Sequence, residues 1–143
     1  MKDLNFKLII FVSIIIVIGC SSVKNKLILT DNKGGYVITI ENKSDIDQSE
    51  IRFVGKVFDV SNEEPIANAE LVMGCLKTKT SLNGEYSFEI VKSDLEIIFI
   101  KGQSVGYKTI ETNFLNTENN NSVKIDFYLV EDNRPLINCE GLN

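Results

Sequence analysis

Three cysteines and a scatter of carboxylates are the side chains of this chain that could do chemistry. Histidine is absent, and so is tryptophan. The missing histidine removes the commonest general base and the commonest metal ligand. Serine, cysteine and lysine nucleophiles are present without a partner base in any motif, so no catalytic set is assigned. No metal and no other cofactor is expected. The adjacent carboxylates Glu63 and Glu64 fall in a turn and read as solvated. Asp45-Ile46-Asp47-Gln48-Ser49 mimics the start of a calcium loop. An EF-hand wants Gly at the sixth position, where Glu50 stands, and Glu at the twelfth, where Lys56 stands. The expectation there is a solvated loop. What remains is Cys20, Cys75 and Cys139.

Cys20 has a context. Lys2 and Lys7 make a short basic start, diluted by Asp3, and residues 8–18 form an apolar run broken only by Ser13. That length suits the apolar region of a signal peptide and falls short of the ~20 residues a membrane-spanning helix needs. The run closes on Val17-Ile18-Gly19-Cys20, which resembles the bacterial lipobox: an aliphatic residue, a small residue, then the cysteine whose thiol is alkylated by diacylglycerol. The resemblance implies that residues 1–19 are a cleaved lipoprotein signal peptide and that Cys20 becomes the acylated, palmitate-bearing first residue. A cleaved signal with a chance cysteine and an uncleaved anchor are the alternatives. Each buried methylene contributes about 0.8 kcal/mol, so two or three acyl chains hold a protein firmly. Ser21-Ser22-Val23-Lys24-Asn25-Lys26 follows, with no Asp after the cysteine and no acidic cluster. The expected location is the outer membrane, facing the periplasm.

The chain has 143 residues, 43% of them apolar, and a formal charge of −5. Without the signal segment, which carries one net positive charge, the body sits near −6. Such a length supports one modest domain with a single core burying roughly two-thirds of the unfolded surface. With only two prolines and this apolar content the composition is not that of a disordered chain. An acidic body with no Lys/Arg cluster repels nucleic acid, so no nucleic-acid partner is expected.

The elements that must carry these groups are strands. Leu27-Ile28-Leu29-Thr30 and Tyr36-Val37-Ile38-Thr39-Ile40 flank Asp31-Asn32-Lys33-Gly34-Gly35. The two glycines are expected to supply the positive φ of a hairpin. A polar connector, residues 41–50, follows. Residues 51–60 read as a central strand, with Phe53, Gly55 and Val57 on one face. Residues 61–65 form a turn that Pro65 rigidifies. Residues 67–76 read as the next strand, and Asn83-Gly84 as a two-residue hairpin turn. Residues 85–91 alternate, with Tyr86, Phe88 and Ile90 together. The apolar run 95–100 reads as a buried strand or the core of a sheet, and residues 109–114 as a further strand. Residues 116–122 read as an exposed Asn-rich loop. Val123, Ile125, Phe127 and Leu129 alternate in the last strand. Seven or eight short strands, with turn signals between them and no helix after Cys20, predict an all-β fold: an antiparallel, Ig-like β-sandwich. The expected layout is signal peptide 1–19, lipidated tether 20–26, N-terminal hairpin and connector 27–50, sandwich 51–131 and tail 132–143.

Gly55-Lys56-Val57-Phe58-Asp59, then Glu64-Pro65-Ile66-Ala67-Asn68-Ala69-Glu70-Leu71, then residues 80–88 with Asn83-Gly84, then Gly106-Tyr107-Lys108 resemble the carboxypeptidase regulatory-like domain. This transthyretin-like β-sandwich is common in Bacteroidetes envelope proteins. The resemblance spans about residues 52–129. It implies that Gly55, Asp59, Pro65, Ala69, Asn83, Gly84, Gly106 and Tyr107 are fold-defining: Gly55 for close backbones, Ala69 for a crowded site, Tyr107 for capping a core edge with a polar tip. The family places Asp after the turn's threonine; here it is Ser81, a weaker bond to the backbone. Some relatives extend large outer-membrane transporters, whereas this chain stops before a barrel and is expected to be free-standing. Transthyretin-like hydrolases use His and Arg, and this chain has no His.

An exported compartment favours disulfides. With Cys20 acylated, Cys75 and Cys139 are an even pair. A bond between them would close a loop of about 64 residues and contribute ~4 kcal/mol on the chain-entropy account. Two unpaired thiols, with Cys75 a small core residue, is the alternative. The expected function is a non-enzymatic envelope lipoprotein, a membrane-tethered β-sandwich for binding or assembly, whose partner is an envelope protein or a glycan. A carbohydrate-binding or adhesion module is the second expectation, and a hydrolase the third. The carbohydrate reading requires exposed aromatics, for which Tyr36, Tyr107 and Tyr128 are candidates, each with core packing as its competing use.

Overall fold

Alternation decides which side chains meet in the core. In β3 (Glu50–Asp59) every second residue from Ile51 to Asp59 is buried and the intervening ones are half-exposed. β6 (Glu85–Val91) buries Tyr86 and Phe88, and β11 (Ser122–Leu129) buries Val123, Ile125, Phe127 and Leu129. A period of two puts these residues on one face of a pleated sheet, and burying that face drives the assembly. The computed structural model describes residues 26–41, 46–47, 49–92, 97–116 and 121–134.

The described residues form strands and turns and no α-helix. The remaining strands are β1 (Ile28–Leu29), β2 (Gly35–Glu41), β4 (Glu70–Met73), β5 (Leu76–Lys79), β7 (Ile97–Ile98), β8 (Lys101–Gln103), β9 (Ile110–Glu111) and β10 (Leu115–Asn116). A five-stranded sheet runs β1-β2-β11-β3-β6, a four-stranded sheet runs β5-β4-β8-β9, and β7 pairs with β10 as a ribbon. Phe53, Val57, Ile125 and Phe127 from the first sheet meet Leu71, Met73, Ile100 and Ile110 in one core. The fold is the all-β sandwich that the alternation predicts. Residues 28–41 are built into it, because β2 pairs along β11 from Ser122–Glu41 to Tyr128–Gly35.

Several local expectations are corrected. The sheets are not wholly antiparallel: β11 runs parallel to β3, joining the last strand to the middle of the chain. The first hairpin takes its positive φ from Lys33 (67°), not from the two glycines. Gly34 and Gly35 are there for room: a Cβ on Gly35 would lie 2.3 Å from the Ile28 carbonyl oxygen, and one on Gly34 2.6 Å from that of Tyr128.

Residues 67–76 are not one strand. Gly74, at φ 59°, reverses the chain, so that Met73 pairs with Leu76 and Glu70 with Lys79. Asn83-Gly84 does not close a hairpin between paired strands. Ser81 N donates to Glu85 O and Gly84 N to Ser81 O, yet β5 and β6 belong to different sheets, so the turn is a corner between layers. The described part of the run ending at residue 100 is only half buried: Ile98 and Ile100 are buried while Ile97 is 65% and Phe99 37% exposed. Of the segment read as an exposed Asn-rich loop, Asn116 lies in β10, and Asn121 and Ser122 are buried.

Candidate functional site

Asp59, Pro65, Gly84 and Tyr107 of the 55–107 motif gather at one corner. Asp59 ends β3 with its carboxylate buried at 5% exposure. Its Oδ1 accepts from Ser61 N at 2.7 Å and Ser61 Oγ at 2.6 Å, and its Oδ2 accepts from the Tyr107 hydroxyl at 3.0 Å. Ser61's hydroxyl, its backbone N–H and the Tyr107 hydroxyl hold the Asp59 carboxyl below the usual range, against the effect of burial. Burial first, then the hydrogen bond and charge of Asp59, push the Tyr107 phenol up. Pro65 bridges to Phe58, and Gly84, at φ 73°, sits under Pro65 and the Val57 carbonyl. Gly106, at φ 83°, turns the chain so that its carbonyl accepts from Asp132 N.

Ala69 is fully buried, and its N–H donates to Thr80 Oγ1 at 2.9 Å while that hydroxyl donates to Ile66 O at 2.7 Å. Ser81 holds the turn with its hydroxyl, accepting from Asn83 N and Glu85 N, each at 3.2 Å. This corner is architecture. The Asp59 carboxylate has three donors and a depressed pKa, the opposite of a base poised near neutrality.

A second polar knot lies under Gly55. The β3–β11 ladder jumps from Lys124–Val54 to Phe127–Val57. In the gap, Ile125 O accepts from the Tyr86 hydroxyl at 2.8 Å, and Lys56 N donates to Asp126 Oδ1 at 3.0 Å. A Cβ on Gly55 would lie 1.7 Å from that Ile125 oxygen. Burial pushes the Tyr86 phenol well up, with the charge of Asp126 adding to it.

Two surface features have the shape of binding sites. An open cleft of about 640 Å³ runs between the end of β5 and the outer side of β3 and β6. Lys56, Lys79 and Lys124 line it with Glu85, and the hydroxyls of Thr78, Ser81 and Ser87 stand among them. Lys56 Nζ lies 3.0 Å from Glu85 Oε1 and Lys124 Nζ 2.8 Å from Asp126 Oδ2. The second feature is an aromatic ledge. The rings of Phe99 and Phe114 meet edge to face at 5.9 Å, and Phe114 is 74% exposed. They border a cleft of about 450 Å³ with Glu111, Thr112 and Asn113.

The aromatics singled out in the sequence lie elsewhere. Tyr36 is in the core, with its hydroxyl accepting from Asn113 N at 2.9 Å. Tyr107 is half-buried against the core edge, and Tyr128 stacks on Phe58 at 5.4 Å. Neither surface feature has a local signature. The three lysines are far apart in the chain, and the apolar run hid the alternation of Ile97 and Phe99 against Ile98 and Ile100. Reading that run with a period of two would have marked Phe99 as outward-facing.

Cys75 is exposed in the β4–β5 turn and its thiol is free among the described residues; it is not a core residue. Cys20 and Cys139 lie outside the described residues. So do Asp45 and Gln48. In the same loop Ile46 is buried, and Asp47 Oδ1 accepts from Ser49 N and Oγ at 2.8 Å each, a local turn. Among the described residues no group of three or more Cys, Asp or Glu side chains is placed to hold a metal ion. Glu63 and Glu64 are exposed in their turn, as expected.

No family model matches the chain, and no curated protein matches it. Among solved structures it is similar to 3-chlorocatechol 1,2-dioxygenase from Rhodococcus opacus 1CP, at 14% identity and a TM-score of 0.46, over 80% of this chain and 71% of that one. A likeness that distant carries no argument about the chemistry of this chain.

Proposed function

We propose that this chain is a non-enzymatic, lipid-anchored binding and assembly module of the bacterial envelope. In this reading the β-sandwich is a carboxypeptidase regulatory-like domain, tethered through acylated Cys20 to the outer membrane and facing the periplasm. The lipobox-like sequence supports the tether. One observation carries the binding role: the open cleft of about 640 Å³, walled by three lysines and several hydroxyls on a body of net negative charge. A concave surface with convergent polar groups is where a ligand gains orientation. The use of Asp59, Tyr86, Thr80 and Thr112 as internal hydrogen-bonding groups supports a body that recognises rather than reacts.

Cross-linking and pull-down from detergent-solubilised envelopes tests the reading. The wild-type chain is expected to recover a partner that Lys79→Glu/Lys124→Glu fails to recover. Equal recovery by both chains moves binding away from the cleft, and no recovery by either overturns the binding role.

A second reading, carbohydrate binding, is favoured by the Phe99–Phe114 ledge. Partly exposed rings beside Glu111 and Asn113 combine an apolar surface with hydrogen-bonding groups. Glycan-array binding lost in Phe114→Ala and kept in the cleft variant would establish it in place of the first.

A further inference from the structure

β6 is the last strand of the five-stranded sheet. Its hydrogen-bonding groups alternate in direction, as in any antiparallel ladder. Val57 N donates to Gly84 O at 2.9 Å and Lys92 N to Ser49 O at 2.8 Å, in step with the Gly55–Tyr86, Phe53–Phe88 and Ile51–Ile90 pairs. Even-numbered residues therefore turn their amides toward β3. Odd-numbered residues turn theirs away from the sheet. At Glu85 the outward groups are taken by Ser81, whose N–H donates to Glu85 O and whose Oγ accepts from Glu85 N. From Ser87 through Glu89 to Val91 the outward N–H and C=O groups meet no partner among the described residues, and all three residues are exposed. This is an open template at the spacing of a β-ladder.

That edge opens onto the lysine-walled cleft. Ser87 lines it from β6, and Thr78, Lys79 and Ser81 line it from the end of β5, itself the outer strand of the other sheet. The cleft thus reaches from the β5 edge, past the β6 edge, onto the outer face of β3 and β11. Of the lysines lining it, Lys56 is paired with Glu85 at 3.0 Å and Lys124 with Asp126 at 2.8 Å, which leaves Lys79 without an ion pair among the described residues. Farther along the edge Glu89 is paired with Arg52 at 2.6 Å and Val91 is 49% exposed.

We infer that the free edge of β6 takes up an extended segment of a partner polypeptide as a sixth strand, with acidic residues at the end of that segment that enters the cleft. Main-chain bonds form to Ser87, Glu89 and Val91, and the carboxylates of the segment lie toward Lys79, beside the Lys56–Glu85 pair. Its Val91 end is apolar or uncharged. Strand addition of this kind draws affinity from the ladder and specificity from side-chain pockets. A second copy of this chain is the poorer occupant, because an antiparallel pairing of two β6 edges about Ser87 would set Glu85 of each copy against Glu89 of the other. The inference rests on the binding-module reading and names its ligand.

The test uses the full chain, ¹⁵N-labelled in detergent micelles, with capped octapeptides that alternate valine with polar residues. One probe carries two aspartates at one end, in both chain directions; the control carries two lysines there. The aspartate probe is expected to slow amide exchange at Ser87, Glu89 and Val91 at least ten-fold. Ser87→Pro is expected to abolish this, since proline removes the outward N–H while the β3 ladder does not use it. Lys79→Glu, on an exposed position, is expected to raise Kd at least five-fold and holds the test should Ser87→Pro fail to fold. Absence of protection, or equal protection by the lysine probe, overturns the inference. Protection that grows with protein concentration in the absence of a probe makes the occupant a second copy and overturns it too. Glutarate binding at the lysines as tightly as the peptide, without amide protection, reduces the site to an anion cleft. A recovered envelope partner with a silent octapeptide leaves the module standing and removes strand addition alone.

Discussion

Tyr86 reaches beneath β3 to donate its hydroxyl to the Ile125 carbonyl at 2.8 Å, at the place where the parallel ladder between β3 and β11 lapses. Gly55 lies between them and makes the reach possible. Any side chain there would occupy the position of that carbonyl oxygen, 1.7 Å from an added Cβ. One glycine, one phenol and one carbonyl therefore join three strands that are distant in the chain. Tyr86→Phe leaves the buried carbonyl without its donor and should cost roughly 1–3 kcal/mol. Gly55→Ala should cost about 3 kcal/mol or more, because it forces two strands apart in a packed sheet. Urea denaturation at pH 7 measures both, and a Gly55→Ala chain as stable as wild type would contradict the geometry.

The Asp59 corner sets an acid limb to the stability curve. The folded carboxyl titrates below its unfolded value of about 3.9. Its contribution is therefore complete above that value and is lost as pH falls through the folded one. Stability is expected to be flat from about pH 5 to 7 and to drop below about pH 4. Asp59→Asn should lose roughly 2 kcal/mol at pH 7, since hydrogen bonds to a charged group are the stronger ones, and should show a shallower drop in acid. Asp132, held at about 2 by the Arg134 guanidinium, follows the same sign at lower pH. Urea midpoints between pH 2.5 and 7 for the two chains provide the comparison.

Thr80 is a hidden fastener. Its hydroxyl serves Ala69 N and Ile66 O at once, with 4% of the residue exposed. Thr80→Val keeps the shape and strands both backbone groups, for an expected loss of about 3 kcal/mol. Thr80→Ser keeps the hydroxyl and should lose about 1 kcal/mol, the missing methyl. A valine variant no weaker than the serine variant would show the hydroxyl to be dispensable.

The cysteines give a labelling prediction. Cys75 is exposed in its turn, so a maleimide should modify it in the folded chain at neutral pH without prior reduction. A requirement for reductant would show Cys75 oxidised, and loss of that requirement in Cys139→Ser would assign the Cys75–Cys139 bond. Cys20→Ser should release the chain from the membrane fraction into the soluble one, read by fractionation. Persistent tight membrane association would remove the acyl tether from the proposal.

Much of the strand content was legible. Phe53 and Val57, Tyr86 and Phe88, and Val123 through Leu129 alternate in a way that only a pleated, half-buried strand satisfies, and the structure buries them accordingly. The turn at Ser81 was legible as well, because a hydroxyl bonding its own backbone is a local event. The β4–β5 reversal was missed, since Val72-Met73-Gly74-Cys75-Leu76 offers an unbroken run of residues acceptable in a strand. Gly74 acts there through its φ of 59°, which residue type permits but does not announce. The two glycines before Tyr36 were assigned the wrong reason, positive φ in place of close approach, because the atoms they avoid belong to other strands.

The amino-acid sequence by itself determined which residues face inward, where the chain can turn, and that its body is a β-sandwich with an acidic surface. These depend on periods of two and on single-residue conformational preference, both written locally. The tertiary structure decided that β11 lies parallel to β3, that Lys56, Lys79 and Lys124 share one cleft, and that Phe99 and Phe114 share a ledge. Strand partners are chosen by the packing of whole faces across long separations, and a local pattern says which face is apolar without saying whose edge lies beside it.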